Sequence, residues 1–315
     1  MNAFHTILFG ADFSEGSRDA FRAACSLAVP GQTTIHVVHV IEPHWVPEEP
    51  VPYGQVVVEF YDAKGGGCRD EIICRRLREE YAPEIPVEVE YHVLEGEPAA
   101  QLLRMAERLH PDLLVVGTHG RTGLSWLLAG SVATTIVRRA RCPVLAYHRP
   151  EVPRNFEEIR TILHPTDFSP GSEHSLGIAR SMARDLGSRL VLMHVIPYGV
   201  YASDMTVAVD PAVYREALEQ ERRIVEGPDL KYPVAIRLAQ GDAAEEIIQA
   251  ANETDGGLIV MGTHGRTGLG RLLMGSVTER VVTRSTCPVL AVKAGPSVAR
   301  HEPMETPEPM AAGHS

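Results

Sequence analysis

Short apolar runs alternate with amphipathic segments along most of the chain. Residues 6–9 form an apolar run, and residues 17–29 follow with apolar positions at helical spacing, up to a Pro-Gly pair. The same pattern predicts further first-half strands at 33–41, 87–93, 113–116 and 144–147, and helices at 98–109 and 131–139. In the second half it predicts strands near 161–164, 189–195, 233–238, 258–261 and 289–293. Strands alternating with helices predict an α/β fold with parallel sheets covered on both faces.

One stretch departs from this alternation. Residues 56–81 should hold the helix between the second and third strands, but a glycine triplet at 65–67 interrupts the pattern. Because each glycine costs about 1 kcal/mol in a helix interior, we expect a break or a mobile loop there. The proline-rich residues 42–54 before it could cover a ligand, contact a partner or merely connect two elements, and mere connection is slightly favoured.

The chain is a tandem repeat. Residues 6–14 match residues 161–169, and 20 of 30 positions are identical between residues 117–146 and residues 262–291. A period this long indicates duplicated domains rather than a solenoid.

The repeat and the composition together predict domain limits. We expect a first domain at 1–148 and a second domain at 159–294, joined by a linker at 149–158 that contains prolines and charges. Residues 295–315 contain four prolines and little to bury, so they are predicted to be a disordered tail.

A glycine-rich octapeptide, Gly-Thr-His-Gly-Arg-Thr-Gly-Leu, occurs at 117–124 and again at 262–269. Each copy follows an apolar run and precedes a helical pattern, which gives strand, loop and helix. Glycines allow a ligand to approach the main chain, and a helix start offers unpaired N–H groups to an anion. We therefore expect a bound phosphate, with Ser131 and Ser276 as N-caps of the following helices. The alternative is that these glycines only make a tight turn.

Side chains of the two loops could complete such a site. Arg121 and Arg266 would supply local positive charge. His119 and His264 could act as bases, but contact with phosphate or solvent is favoured. Neither loop contains a lysine, and the P-loop pattern Gly-x4-Gly-Lys-(Ser/Thr) does not occur. A hydrolytic enzyme is therefore poorly supported, and no catalytic residue is predicted.

An acidic residue follows the first strand of each half, Asp12 and Asp167. In open parallel sheets, ligands bind beyond the carboxyl ends of the strands, where the strand order reverses. If the first and fourth strands are neighbours, the carboxylate and the glycine loop face one crevice. This arrangement suits a nucleotide, with the acid on a hydroxyl or base N–H and the loop on the phosphates. The alternative is that each Asp is only a cap or turn residue.

These motifs together resemble those of a tandem universal stress protein, with two UspA-type domains over almost all of residues 1–293. The resemblance implies, in each half, a five-stranded Rossmann-like parallel sheet of order 3-2-1-4-5 with helices on both faces. It also implies that the protein binds ATP, or ADP or AMP, together with Mg²⁺. The last strands of the two halves are expected to pair antiparallel, forming an intramolecular pseudo-dimer.

The resemblance also implies the residues at the nucleotide. The ATP-binding members of the family carry Gly-x2-Gly-x9-Gly-(Ser/Thr), an acid after the first strand and a valine at the end of the second. The expected contacts are Asp12, Val40, Gly117, His119, Gly120, Arg121, Gly130, Ser131 and Val132 in the first half, and Asp167, Val195, Gly262, His264, Gly265, Arg266, Gly275, Ser276 and Val277 in the second.

Composition and charge limit the possible binding partners and the cellular location. The net charge of −11 argues against broad binding to nucleic acid or to anionic membranes. No apolar run approaches the roughly 18 residues of a membrane span, and no basic region precedes the first apolar run as in a signal peptide. The cytoplasm is therefore the expected location. The five cysteines form no disulfide framework.

Two functional classes remain. The first is a regulatory module that binds a nucleotide in each half and acts on an unknown protein partner. The second is a structural or interaction protein that keeps the fold without binding a nucleotide. An enzyme acting on ATP is a weaker third class. A metal site formed by His36, His39 and His44 is conceivable but is not predicted, because His36 and His39 are three residues apart on a predicted strand and point to opposite faces. The sequence leaves a homodimer of chains open.

Overall fold

The computed structural model describes most of both halves of the chain. The described residues are 4–42, 69–118, 131–148, 156–197, 201–202, 205–206, 210–226, 232–254, 257–263 and 274–293. The proline-rich loop from residue 43, the glycine triplet at 65–67, most of the predicted linker and the predicted tail lie outside them.

Each half alternates strands and helices as the sequence predicts. The first half contains β1 (Thr6–Ala11), α1 (Glu15–Leu27), β2 (Thr34–Ile41), α2 (Arg69–Glu80), β3 (Glu88–Glu95), α3 (Pro98–Leu109), β4 (Leu113–Gly117), α4 (Ser131–Arg139) and β5 (Val144–Tyr147). The second half contains β6 (Thr161–Pro165), α5 (Pro170–Leu186), β7 (Arg189–Ile196), β8 (Tyr201–Ala202), β9 (Met205–Thr206), α6 (Pro211–Val225), β10 (Val234–Gln240), α7 (Ala243–Glu253), β11 (Leu258–Gly262), α8 (Ser276–Arg284) and β12 (Val289–Val292). The small β8–β9 hairpin was not predicted.

Local chemistry sets where α1 begins and ends. The Ser14 hydroxyl accepts a hydrogen bond from the Ser17 N–H at 3.1 Å, so the helix starts two residues earlier than predicted. The helix ends at Leu27, where the following Ala28 is already extended. α2 begins at Arg69, directly after the residues that include the glycine triplet.

Ten strands form one continuous sheet, in the order β10-β7-β6-β11-β12-β5-β4-β1-β2-β3. Within each half the order is 3-2-1-4-5 and all pairs are parallel, which confirms the predicted fold class. One core lies between the sheet and α1, α2, α5 and α6, and a second core lies on the opposite face under α3, α4, α7 and α8.

The two halves join through β5 and β12, which pair antiparallel. Leu145 lies opposite Leu290, and every residue of both strands is buried. Across this junction Arg138 and Glu279 form an ion pair at 2.7 Å, but both are more than a third exposed, and such pairs contribute only about 0–1 kcal/mol. Burial of each leucine contributes about 1.5–3 kcal/mol, so the strands rather than the ion pair hold the halves together. The predicted antiparallel pairing is confirmed.

The segment between the halves is more than a connector. Phe156 opens a short 3-10 turn, Phe156–Glu158, inside the predicted linker, yet its side chain is 4% exposed and belongs to the first core. This turn packs against α1. The domain limits at 148 and 159 stay predictions, but part of the linker contributes to the packing of the first half.

A buried histidine marks one divergence between the halves. His164 on β6 is fully buried at the position that Phe9 occupies on β1. Its Nδ1 donates to the carbonyl oxygen of Val260 at 2.9 Å, while Nε2 is buried without a partner among the described residues. Burial lowers the pKa of His164 to about 4.

We expect His164→Phe to reduce the loss of stability in acid. Because the folded pKa lies below the ordinary value of 6.5, His164 contributes stability above pH 6.5 that is lost as the pH falls towards 4. The shift corresponds to about 3 kcal/mol. Denaturant unfolding between pH 4 and 7 should show a shallower fall for His164→Phe. The exposed His174 on α5 provides the control, and an unchanged slope for His164→Phe would contradict the assignment.

Candidate functional site

Three neighbouring strands bring the predicted contacts of the first half together. β1 pairs with β2 on one side and with β4 on the other. Asp12 follows the last residue of β1, Val40 is the next-to-last residue of β2, and Gly117 ends β4. All three strands are parallel, so these residues lie at one edge of the sheet. The prediction that the first and fourth strands are neighbours is confirmed.

The second half repeats this arrangement. β6 lies between β7 and β11, and Asp167, Val195 and Gly262 stand at the carboxyl ends of these strands. Because β5 and β12 pair antiparallel, the carboxyl ends of the two halves face opposite edges of the ten-stranded sheet. The two candidate sites are therefore separate, and neither half supplies strand-end residues to the other.

Asp12 shapes the turn that enters α1. Its Oδ1 accepts the Ser14 N–H at 2.9 Å, and its own N–H donates to the Ser17 hydroxyl at 3.2 Å. Ser14 is the N-cap, so Asp12 occupies the turn before the cap rather than the cap itself. In the second half Asp167 accepts from the Ser169 N–H at 3.1 Å, and Ser169 caps α5. In both halves the Asp is therefore a turn residue, and the turn holds its carboxylate at the edge of the sheet.

A strained phenylalanine follows each of these acids. Phe13 has φ 65° and Phe168 has φ 62°, a left-handed conformation that is rare for a bulky residue. Such backbone persists only where its surroundings hold it, and it is concentrated at binding sites and active sites. The two halves share this feature at the same position, which points to a turn kept for its shape.

Histidines on the second strands hold these turns. The His39 ring lies 4.6 Å from the Phe13 ring, and its Nδ1 donates to the Ala11 carbonyl at 2.7 Å. His194 repeats both contacts, 4.8 Å from the Phe168 ring and 2.7 Å from the Thr166 carbonyl. These two histidines are not among the contacts predicted from the sequence. The signal was their identity at the same offset in both halves, and only the fold shows what they contact.

Packing against the first turn of a helix restricts the residue that ends β11 more than the residue that ends β4. A Cβ on Gly262 would lie 3.1 Å from the carbonyl carbon and oxygen of Gly171, in the first turn of α5. The equivalent Gly117 faces Gly16 and Ser17 at about 3.6 Å. Helix packing therefore favours a glycine at Gly262, in addition to any role towards a ligand, whereas a Cβ at Gly117 would make only ordinary contacts.

The helix after the second glycine loop starts differently from the prediction. Gly275, not Ser276, is the N-cap of α8, and Ser276 is its first helical residue. The Gly275 N–H donates to the Thr263 carbonyl at 2.8 Å, which fixes the helix start beside the end of β11. Among the described residues no side chain caps this helix. The N-cap prediction for Ser276 is wrong because the backbone of Gly275 already makes the turn.

The remaining predicted contacts are divided between the helix starts and the loops. Ser131 and Val132 open α4, and Val277 lies in the first turn of α8, with both valines packed against the second core. The following predicted contacts lie outside the described residues: His119, Gly120, Arg121, Gly130, His264, Gly265 and Arg266.

The two sites differ in what supports the acidic turn. In the first half the buried Tyr81 hydroxyl accepts the Phe13 N–H at 2.9 Å and lies 2.9 Å from the Ser17 hydroxyl. In the second half Thr166 accepts the Phe168 N–H at 3.1 Å and donates to Glu221 Oε1 at 3.0 Å.

Glu221 is a titrating group beside the second site. Burial, together with the negative charges of Asp167 and Glu173, raises its pKa to about 7, against the hydrogen bond from Thr166, which lowers it. Comparison of the two halves shows where one of these negative charges comes from. Glu173 stands where the first half has Arg18, which pairs with Glu80 at 2.7 Å.

The fold and the two crevices define a class of protein. The protein consists of two tandem Rossmann-like α/β units that share one sheet, each with an acidic turn and a glycine-ended strand at one crevice. No helix in the described part of the chain has the length and apolar character to cross a membrane.

Comparison with known proteins agrees with this class. Residues 3–148 and 158–293 each match the model of the universal stress protein family. The chain is 25% identical to universal stress protein Rv2005c of Mycobacterium tuberculosis, over 92% of this chain and 97% of that protein. It is 28% identical to a universal stress protein of Mycolicibacterium smegmatis, over 91% of this chain and 96% of that one. The chain belongs to the universal stress protein family.

A solved structure supports the fold over the whole length. The crystal structure of a universal stress protein from Archaeoglobus fulgidus aligns with a TM-score of 0.63, over 94% of this chain and 100% of that one. The sequence identity is 19%, so the likeness concerns the fold.

We expect Glu221→Gln to stabilise the protein at alkaline pH. Because its folded pKa is raised above 4.5, Glu221 contributes stability that is present below pH 4.5 and is lost as the pH rises through about 7. The variant should be more stable than the wild type at pH 8, by up to about 3 kcal/mol, and equal to it near pH 4. Denaturant unfolding at both pH values measures this. The exposed Glu216→Gln on the same helix should show no such difference, and a pH-independent effect of Glu221→Gln would refute the assignment.

Proposed function

We propose that the protein is an adenine-nucleotide-binding regulatory module of the stress response, with one site in each half. One observation carries the proposal. Each half places an acid, a valine and a glycine at the carboxyl ends of three adjacent parallel strands, beside the start of a helix. This is the crevice in which open α/β sheets bind their ligands.

The chemistry of the crevice fits a nucleotide. In the second half, the first-turn N–H groups of α8 receive no side-chain cap among the described residues, and such groups favour a phosphate. Asp167, held by the Ser169 N–H, presents a carboxylate suited to a ribose hydroxyl or a base N–H. Val195 offers an apolar side chain to the base. Mg²⁺ commonly enters such sites on the phosphates with few protein ligands, so we propose that it arrives with ATP.

The alternative is an interaction protein that keeps the fold without a nucleotide, and one observation favours it. Helix packing accounts for the glycine at the end of β11, and both acids have roles in their turns. Mass spectrometry of small molecules released from the purified protein separates the two. Recovery of ATP or ADP supports the nucleotide module, and repeated preparations without nucleotide support the alternative. The partner protein and the cytoplasmic location stay predictions from the sequence.

We expect turnover of ATP to be slow or absent. The sequence offers no P-loop lysine and no clear base to activate water, so an attacking water would be poorly positioned. Phosphate release under steady state should stay far below the roughly 10 per second of ordinary enzymes. A rate of that order would contradict a purely regulatory role.

We expect two nucleotide sites per chain that mutations can separate. Gly120→Asp or Gly265→Asp adds a side chain and a negative charge where the loop should approach phosphate, so each variant should lose one site. Ligand at 100 times its dissociation constant stabilises a protein by about 2.7 kcal/mol. A thermal shift with ATP should therefore persist in each single variant and vanish in the double variant.

Gly177→Asp is the matched control for this experiment. Gly177 is exposed on α5 with nothing within 4 Å of an added Cβ, so the same charge is introduced away from both crevices. Calorimetry with one ATP per wild-type chain would contradict the two-site claim. A double variant that still binds ATP would show that the glycine loops are not the phosphate site.

A further inference from the structure

Three side chains of the kinds that bind metal ions converge on β2 and β3 of the first half, away from both crevices. His36 on β2 lies opposite Glu90 on β3 in the parallel register, and His92 follows two residues later. Residues two apart on a strand share a face, so all three project from one side of the sheet. It is the side covered by α3, where Val38 joins the second core.

The distances among the three side chains are those of a metal site. His36 Nδ1 lies 3.1 Å from His92 Nε2 and 3.2 Å from Glu90 Oε2, and His92 Nε2 lies 3.6 Å from the same oxygen. A tetrahedral zinc ion with ligands at 2.0–2.1 Å keeps its ligand atoms about 3.3 Å apart. The three atoms are therefore spaced as they would be around one ion.

The cluster is also open to solvent on one side. The side chains of His36 and His92 are 10% and 24% exposed, whereas that of Glu90 is 50% exposed, which leaves a route for an ion to enter from solvent.

The second half shows that the fold does not need these residues. In the matching register β7 carries Val191, and β10 carries Ala235 opposite it and Arg237 two residues later. Arg237 there pairs with Glu253 at 2.5 Å. The duplicated sheet is thus built with an aliphatic pair and an ion pair at the same place, so the trio of the first half is not a requirement of sheet packing.

We propose that His36, Glu90 and His92 bind one divalent transition-metal ion of the zinc class, with water completing the coordination. Two imidazoles and a carboxylate are a ligand set that zinc accepts, and the exposed side leaves the fourth position open. The ion would fasten β3, the end strand of the sheet, to β2. The site lies on the first half alone and uses no residue of either nucleotide crevice.

The test uses the full-length chain, freed of metal with a chelator and titrated with ZnCl₂ by calorimetry at pH 7.5. We expect His92→Gln and Glu90→Gln each to abolish zinc binding at the single proposed site. Loss of an outer-shell partner alone lowers metal affinity about 10–100-fold, so loss of a direct ligand should lower it about 100-fold or more. His174→Gln, at an exposed position on α5, should bind as the wild type does and reports on adventitious binding to surface histidines.

Two further readouts distinguish coordination from a structural role. Co²⁺ in place of zinc should give the visible absorption of a low-symmetry four-coordinate site in the wild type and lose it in both variants. The affinity should fall as the pH is lowered from 7.5 to 5.5, because protons compete for the imidazoles. A wild type that binds no zinc, or variants that bind it with unchanged affinity and spectrum, would overturn the proposal. The close approach of His36 and His92 would then be a direct hydrogen bond between the two rings.

Discussion

The structure depends on the antiparallel pairing of β5 and β12. Every other strand pair in the ten-stranded sheet is parallel, and a five-stranded parallel unit ends in a strand with unpaired N–H and C=O groups. Pairing the two last strands removes both of these exposed edges at once and buries Leu145 and Leu290 between the layers of helices. The duplication therefore supplies each half with the partner strand that its own edge lacks, and the two halves share one continuous sheet.

This junction also decides how the functional surfaces are arranged. Reversal of strand direction at β5 and β12 sends the carboxyl ends of the two halves to opposite edges of the sheet. Two ligands bound there would not touch, and coupling between them would have to pass through the buried strands. The proposed metal site lies away from both crevices, on β2 and on β3, the last strand of the sheet among the described residues, where one face is partly open to solvent.

The two halves keep the turns at the strand ends and differ in what surrounds them. Phe13 and Phe168 share the same strained backbone, each against a histidine that holds the preceding carbonyl. Their supports have diverged, because Arg18 pairs with Glu80 in the first half, whereas in the second half burial, with Asp167 and Glu173, raises the pKa of Glu221. The halves therefore present similar crevices whose stability should respond to pH in different ways.

The sequence by itself determined the duplication, the parallel α/β class and the residues at the strand ends, because period, hydrophobic alternation and turn chemistry are local properties. It also predicted correctly that His36 and His39 point to opposite faces, since alternation along one strand needs no knowledge of its neighbours. The sequence alone could not show which distant residues each side chain or glycine contacts. His92 reaches His36 only through the register of two strands, Gly262 meets Gly171 only when α5 packs on β11, and Gly275 replaces Ser276 as the cap only because Thr263 accepts its N–H. Such contacts join residues far apart in the chain, so tertiary packing decided them.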